Sequence, residues 1–156
     1  MIVKANYCFN KALIQGFYLI QDNEILEIKT MGKGLTEITS ELKLILNRSN
    51  ICDGIMNISI LHTSASILIQ ENADSTVQKD LKDFFDKICP EHNDYYHNCE
   101  GNDDMPAHLK SSLLQTNLSL SIIDKKLILG TWQGIYLFEH RVSRKNRKVL
   151  VHLMGS

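Results

Sequence analysis

Residues 74–90, with the sequence DSTVQKDLKDFFDKICP, predict the clearest helix of the chain. Asp74 can cap the first turn by accepting a backbone hydrogen bond, and Pro90 enforces a stop because proline lacks the amide hydrogen. Between them the apolar side chains recur at helical spacing, at Val77, Leu81, Phe84, Phe85 and Ile88. The stretch therefore predicts a helix over 75–88 that buries one apolar face.

The segments before this helix predict strands around one further helix. Runs rich in β-branched and aromatic residues predict an antiparallel meander with a polar turn at 21–23, and these runs are 2–9, 13–20 and 25–28. Leu35, Ile38, Leu42, Ile45 and Leu46 fall on one side of a helical wheel, which predicts a helix ending near Arg48. Alternating residues then predict strands over 55–61 and 66–69.

The segments after the helix predict a long loop, a short helix and three strands. The loop covers 91–105, the helix runs from Pro106 to 114, and the strands cover 118–123, 127–138 and 148–154. This order predicts an α+β fold, in which antiparallel β-sheets pack with two or three helices. No linker divides the sequence, so residues 1–156 are expected to form a single compact domain.

Composition excludes several classes of function. The chain has 17 basic and 18 acidic residues, so its net charge of -1 gives no field that would attract nucleic acid or an anionic membrane. No basic leader precedes an apolar stretch, and no run approaches the roughly 20 apolar residues of a membrane span, so we expect a cytoplasmic protein. The four cysteines form no Cys-x-x-Cys pair, which argues against a zinc ribbon or a thioredoxin-type site.

Two histidines, His97 and His108, flank the end of the long loop and enclose several acidic residues. Imidazole is a common metal ligand and the usual acid or base near neutral pH, so the pair predicts a ligand or proton-transfer set. The alternative interpretation is a solvated acidic loop without chemistry.

A second group of polar residues follows the strand at 55–61. His62, Thr63 and Ser64 precede Glu71 and Asn72, and we expect them to converge at one end of a sheet. In the alternative interpretation, the hydroxyls satisfy turn backbone and His62 is a hydrogen-bonded core histidine.

Asp80 lies at the border of the predicted buried face of helix 75–88. An ionised carboxylate there needs a partner, so a salt bridge, a cap or a catalytic role would each account for it.

The last candidates lie near the C-terminus. Two glycines bracket Trp132 and Gln133 within a predicted strand, which indicates a bulge or a close approach by a ligand, although Trp132 can instead belong to the core. Glu139 is followed by basic residues able to bind phosphate, among them Arg144, Arg147 and Lys148. A solvated basic turn is the alternative. The sequence contains no dinucleotide-binding, Walker A or kinase signature.

In their order and spacing, these fragments resemble the YjbQ-like family. They are His62-Thr63-Ser64-Ala65, Glu71-Asn72, Asp80-Leu81, His97, Gly101-Asn102, Ala107-His108-Leu109, Leu129 to Gln133, Glu139 and Arg147-Lys148-Val149. The likeness covers residues 36–155. It departs at Asp124-Lys125, where many relatives carry Asp-Gly, and at Asp104-Met105-Pro106, which replaces small residues.

The resemblance implies an α+β fold, a homotrimer and a cleft lined by the matching polar residues. It also implies secondary thiamine-phosphate synthase activity, which joins a hydroxymethylpyrimidine pyrophosphate to a thiazole phosphate and releases pyrophosphate. A divalent metal, Mg or Zn, would assist, with His97 and His108 as its ligands.

For this reaction we expect three sets of roles. Phosphate would be bound by Arg144, Arg147, Lys148 and Asn102. Trp132 would stack on the pyrimidine and Gln133 would orient it. The remaining catalytic candidates are His62, Thr63, Ser64, Glu71, Asn72, Asp80 and Glu139. Two other functions would use the same ligands: a non-catalytic protein that binds metal or a phosphorylated metabolite, and a metal-dependent phosphate-ester hydrolase.

Overall fold

Two antiparallel β-sheets, a short hairpin and three α-helices make up the described part of the fold. The computed structural model describes residues 13–14, 17–92 and 94–156. The strands are β1 (Leu13–Ile14), β2 (Phe17–Tyr18), β3 (Ile20–Thr30), β4 (Gly34–Glu37), β5 (Gly54–Ile60), β6 (Ala65–Glu71), β7 (Asn117–Ile123), β8 (Lys126–Leu127), β9 (Gln133–Glu139) and β10 (Lys145–Gly155). The helices are α1 (Thr39–Arg48), α2 (Ser75–Ile88) and α3 (Asp104–Leu113). The predicted α+β fold of antiparallel sheets packed with two or three helices in one compact domain is confirmed, and the helices number three among the described residues.

The larger sheet has the strand order β3-β10-β5-β7-β8 and is built around β10. Val149 of β10 is opposite Leu26 of β3 on one side and Ile60 of β5 on the other. The predicted meander is wrong, because β3 continues through the predicted turn at 21–23 and pairs with the last strand of the chain. As an edge strand, β3 can keep polar side chains in solvent without ending. The predicted strand over 2–9 lies outside the described residues.

The smaller sheet has the order β4-β9-β6, and both faces of its central strand β9 are covered. Ile135 and Leu137 point into the main core with α1 and the larger sheet. On the other face, the ring of Phe138 meets Phe85 of α2 edge-on, with the centroids 5.8 Å apart. The smaller sheet is thus a middle layer of the fold.

Two predicted elements have different boundaries in the structure. The segment 34–37, predicted to contain the start of a helix, forms strand β4 against β9, and α1 begins at Thr39. The strand predicted over 127–138 is interrupted between β8 and β9, because Gly130 and Gln133 form a turn. In that turn the Gln133 amide donates to the Gly130 carbonyl, and the Gly130 amide donates to Gln133 Oε1.

Helix α2 has the predicted bounds and the predicted cap, since Asp74 accepts from the Thr76 amide at 2.8 Å. The predicted burial of its apolar face is wrong. No residue of α2 is fully buried, and Phe84 and Ile88 are 54% and 46% exposed. Apolar patches of this kind often mark contacts with another molecule.

Ion pairs help to attach α2 to the rest of the chain. Asp86 of α2 accepts from Lys33 at 3.3 Å, from Lys82 at 3.1 Å and from the buried Lys110 of α3. Burial acts to raise the pKa of Asp86, but the hydrogen bonds from Lys110 and Lys82 hold it well below its usual range. The carboxylate therefore stays ionised and joins α2 to α3.

The β7–β8 hairpin contains one departure from the family pattern, Asp124-Lys125. Asp124 and Lys125 both have positive φ angles, 49° and 59°, as a two-residue type I′ turn requires.

Among the described residues, no helix has the length and apolar character needed to cross a membrane.

Candidate metal centre

His97, Asp104 and His108 bring three possible metal-ligand atoms to within 4.8 Å of one another. Asp104 and His108 share one face of α3, because they are four residues apart. His97 reaches the same place from the preceding loop. Helix α3 begins at Asp104, two residues before the predicted start at Pro106, so Asp104 was not recognised as a helical partner of His108.

Asp104 is only 2% exposed, and its two oxygens have different surroundings. Oδ1 receives a hydrogen bond from the guanidinium of Arg141. Oδ2 lies 2.8 Å from His97 Nε2, yet among the described residues it has no hydrogen-bond partner. The two atoms are thus close enough for a hydrogen bond but not directed for one. A buried carboxylate oxygen left in this way is costly, and a cation shared with His97 would satisfy it.

His108 is oriented by the backbone on the other side of the site. Its Nδ1 lies 3.0 Å from the Thr63 carbonyl, which accepts the ring hydrogen and so leaves the Nε2 lone pair toward Asp104. His108 Nε2 and Asp104 Oδ1 are 3.7 Å apart. Donor atoms around tetrahedral zinc are about 3.4 Å apart, and the three candidate ligand atoms lie within 4.8 Å of one another.

Arg141 ties the loop after β9 to the start of α3. It is 7% exposed; its Nε donates to Asp103 Oδ2 at 3.0 Å and its Nη2 donates to the Glu100 carbonyl at 2.8 Å. Burial acts to raise the pKa of Asp103, but the Val142 amide and Arg141 lower it overall. Arg141 is one of the basic residues that follow Glu139 in the sequence, and no local spacing indicates its acidic partners.

The segment His62–Ser64 lies beside this centre. His62 Nε2 accepts from the Lys148 amide at 2.8 Å, and burial followed by the charge of Arg147 lowers the pKa of His62. The ring is therefore neutral at physiological pH, and its remaining nitrogen carries the hydrogen. His62, Thr63 and His108 line one groove of about 500 Å³.

Glu139 and Arg147 form a buried ion pair behind the same segment. Arg147 Nε donates to Glu139 Oε2 at 2.7 Å, and Thr30 Oγ1 donates to that oxygen at 2.8 Å. Glu139 Oε1 accepts from the amides of His140 and Arg141. Burial acts to raise the pKa of Glu139, but these hydrogen bonds, the one from Arg147 foremost, lower it. Ser64 accepts from Arg147 as well, so this buried network is bonded to protein on several sides.

The far end of the smaller sheet holds four other predicted site residues: Glu71, Asn72, Trp132 and Gln133. Ala65 is opposite Glu139, whereas Glu71 is opposite Gln133, six residues further along β6. At about 3.3 Å per residue, the two ends are roughly 20 Å apart. The expected convergence of Glu71 and Asn72 with His62, Thr63 and Ser64 at one sheet end is therefore wrong within a single chain.

A sequence profile described as UPF0047 protein YjbQ-like matches residues 24–156. The chain belongs to the YjbQ/UPF0047 family. It is 44% identical over 136 residues to a UPF0047 protein of Synechocystis sp., covering 86% of this chain and 92% of the relative. It is 37% identical to the YjbQ protein of Escherichia coli O157:H7 over 83% of this chain and 95% of the relative.

A solved structure agrees with this membership. An uncharacterized conserved YjbQ/UPF0047-family protein of Clostridium acetobutylicum superposes with a TM-score of 0.77 at 38% identity, covering 83% of this chain and 98% of that one. A protein of unknown function from Sulfolobus solfataricus shares the fold, with a TM-score of 0.78 at 24% identity over 88% of this chain and 100% of that one.

In this YjbQ-family chain, the remaining candidates lie on the surface. Asp80 is exposed on α2, so its predicted position at the border of a buried face is wrong. Asn102 is exposed and lines a cavity of about 380 Å³ together with His97. Arg144 and Lys148 are exposed on the segment after β9 and on β10. At the far end, Trp132 is 65% exposed.

Proposed function

We propose that this YjbQ-family chain is a metal-dependent enzyme of the thiamine-phosphate synthase type, acting on small phosphorylated metabolites. The reaction joins a hydroxymethylpyrimidine pyrophosphate to a thiazole phosphate with release of pyrophosphate. One observation carries the metal dependence: the buried Asp104 Oδ2 faces His97 Nε2 at 2.8 Å without a hydrogen-bond partner among the described residues. His97, Asp104 and His108 would hold a divalent ion.

The ion would supply positive charge to the departing pyrophosphate. Arg144 and Lys148 are the exposed cations on the chain segment beside the site, and we assign phosphate binding to them. Arg147 was predicted for the same role, but its guanidinium is committed to Glu139 and Ser64. We assign Arg147 and Glu139 to positioning instead.

His62 would act as a neutral hydrogen-bond donor. Its Nε2 is occupied by the Lys148 amide, so the opposite ring nitrogen carries the hydrogen. Because His62 shares a groove with Thr63 and His108, a substrate bound near His108 comes within its reach.

The pyrimidine-binding role of Trp132 and Gln133 requires a second copy of the chain. These residues lie about 20 Å from His62 along β6, too far to share one substrate within a chain. We propose a homotrimer in which one copy brings the Trp132 end, with Glu71 and Asn72, to the metal group of another. The exposed apolar side chains Phe84 and Ile88 support such a contact.

The assembly is tested by sedimentation of the wild-type chain and of Phe84→Ser. We expect three chains per particle for the wild type and partial or full dissociation for the variant. Lys79→Ser, also exposed on α2, is the matched control and should assemble normally. A wild-type chain that is monomeric at micromolar concentration would contradict the trimer.

The enzyme proposal is tested by metal content together with thiamine-phosphate formation from the two precursors. We expect the double variant His97→Ala with His108→Ala to fold but to lose both, whereas His92→Ala, an exposed loop histidine, keeps both. Full activity in metal-free protein would contradict the ligand assignment. Metal binding without turnover would favour a non-catalytic binding protein.

Replacement of Trp132 separates the synthase from a phosphate-ester hydrolase. Trp132→Leu removes the stacking surface but leaves the metal ligands unchanged. We expect it to impair synthase activity and to spare hydrolysis of a simple phosphate ester such as p-nitrophenyl phosphate. Equal loss of both activities would contradict a role in binding the pyrimidine.

A further inference from the structure

We infer that the group formed by His97, Asp104 and His108 binds a metal ion of the zinc class. We also infer that Arg141 is a positioning residue: it orients the Asp104 carboxylate so that one oxygen serves as the ligand. This rests on the metal-binding part of the proposed function. It adds the kind of metal, the number of protein ligands and a residue outside the ligand set.

The donor atoms favour zinc over magnesium. Two imidazoles and one carboxylate form the set at His97, Asp104 and His108. Imidazole nitrogen suits zinc, whereas magnesium prefers oxygen ligands in octahedral geometry. Among the described residues the group has three members. Structural zinc sites generally use four protein ligands and catalytic sites three, so the count fits a site that also receives substrate.

Arg141 determines which oxygen of Asp104 can reach the ion. Its Nη1 donates to Oδ1, and Oδ2 is the oxygen that faces His97. The guanidinium is itself held by Asp103 Oδ2 and by the Glu100 carbonyl. These contacts fix the plane of the guanidinium, and through it the rotation of the Asp104 carboxylate. Lysine cannot replace this arrangement, because its single ammonium lacks the rigid fork of donors.

The position of Arg141 is set in turn by the buried ion pair. The Arg141 amide donates to Glu139 Oε1 at 3.0 Å, and Glu139 is held by Arg147 and Thr30. A continuous set of hydrogen bonds thus runs from β10 through the end of β9 to the first residue of α3. This gives Glu139 a function at the metal centre without contact with substrate.

The test measures binding of the metal alone. The chain, freed of metal by a chelator, is titrated with Zn²⁺ against a chromophoric chelator, with Mg²⁺, and with Co²⁺ followed by visible absorption. The variants are Arg141→Lys, Asp103→Asn and the control Arg48→Lys. Arg48 is an exposed arginine that contacts both oxygens of Glu24, far from the centre along the chain.

We expect the wild type to bind one Zn²⁺ per chain at least 100-fold more tightly than Mg²⁺, with the intense Co²⁺ bands of a four- or five-coordinate site. Arg141→Lys should weaken Zn²⁺ binding by about 10- to 100-fold and change the Co²⁺ spectrum, as is typical when a group that orients a ligand is lost. Asp103→Asn should weaken binding less, and Arg48→Lys should not change it.

Three results would overturn the inference. Tighter binding of Mg²⁺ than of Zn²⁺ would exclude the zinc class. A folded Arg141→Lys variant with wild-type affinity and spectrum would exclude the positioning role. If Arg141→Lys does not fold, unchanged Zn²⁺ affinity in folded Asp103→Asn would exclude it. Normal metal binding without thiamine-phosphate formation would contradict the proposed function but leave this inference standing.

Discussion

Acidification should destabilise the fold through His140, and His140→Gln should remove much of this effect. His140 is 1% exposed, and its Nε2 lies 2.8 Å from Ser66 Oγ. Burial lowers its pKa from 6.5 to about 3, and the charge of Lys110 adds to the effect. Arg147 and Lys33 act in the same direction, while Glu139 opposes them.

The sign follows from proton uptake. In the unfolded chain His140 takes up a proton near pH 6.5, whereas in the folded chain it does so only near pH 3. Below pH 6.5 the unfolded state binds more protons, so stability is present above that pH and is lost as the pH falls. Between pH 6.5 and 3, each pH unit lowers the free energy of unfolding by about 1.4 kcal/mol. Because only the part of the range below pH 6.5 contributes, the loss between pH 7.5 and 5 is about 2 kcal/mol.

The assay is urea unfolding followed by circular dichroism at pH 7.5, 6.5 and 5 and at constant ionic strength. Glutamine keeps a hydrogen-bonding group for Ser66 but does not titrate. The free energy of unfolding of the wild type should therefore fall by about 2 kcal/mol more than that of His140→Gln. His92→Gln, at an exposed histidine, should behave as the wild type does. An identical pH dependence for wild type and His140→Gln would refute the reasoning, as would a ring pKa above 5 measured by NMR.

Two further predictions concern the stability of buried contacts. Glu139→Gln breaks the buried ion pair with Arg147 and should lower the free energy of unfolding by about 3–5 kcal/mol. Glu27→Gln removes an exposed ion pair with Lys148, whose charged atoms are 3.9 Å apart, and should lower it by under about 1 kcal/mol. Similar losses in urea unfolding would contradict this difference. Gly54→Ala would place a methyl group 2.2 Å from a carbonyl oxygen of β10 and should cost more than Gly34→Ala, which meets nothing within 4 Å. Both glycines have positive φ, so the difference in melting temperature reports the clash, and equal melting temperatures would exclude it.

The candidate site was predictable where its signals are local. His97 and His108 were identified because both stand near acidic residues around one loop, and the family resemblance gave the same pair. Asp104 could have been added from its spacing to His108 had the start of α3 been placed two residues earlier. Arg141 could not be paired with Asp104, because the two are 37 positions apart and no periodicity connects them.

The sequence by itself determined the elements whose ends depend on near neighbours. Helix α2 was predicted with its bounds, because an Asp74 cap and a Pro90 stop act within one helical turn. The burial of its apolar face was predicted wrongly. An apolar stripe shows that a helix face needs a partner, but it does not show which part of the chain or which other molecule provides that partner. Only the tertiary structure decided that β3 pairs with β10 and that the length of β6 separates His62 from Gln133. Strand pairing brings together residues distant along the chain, and the hydrogen bonds that choose the partner exist only once the sheets have formed.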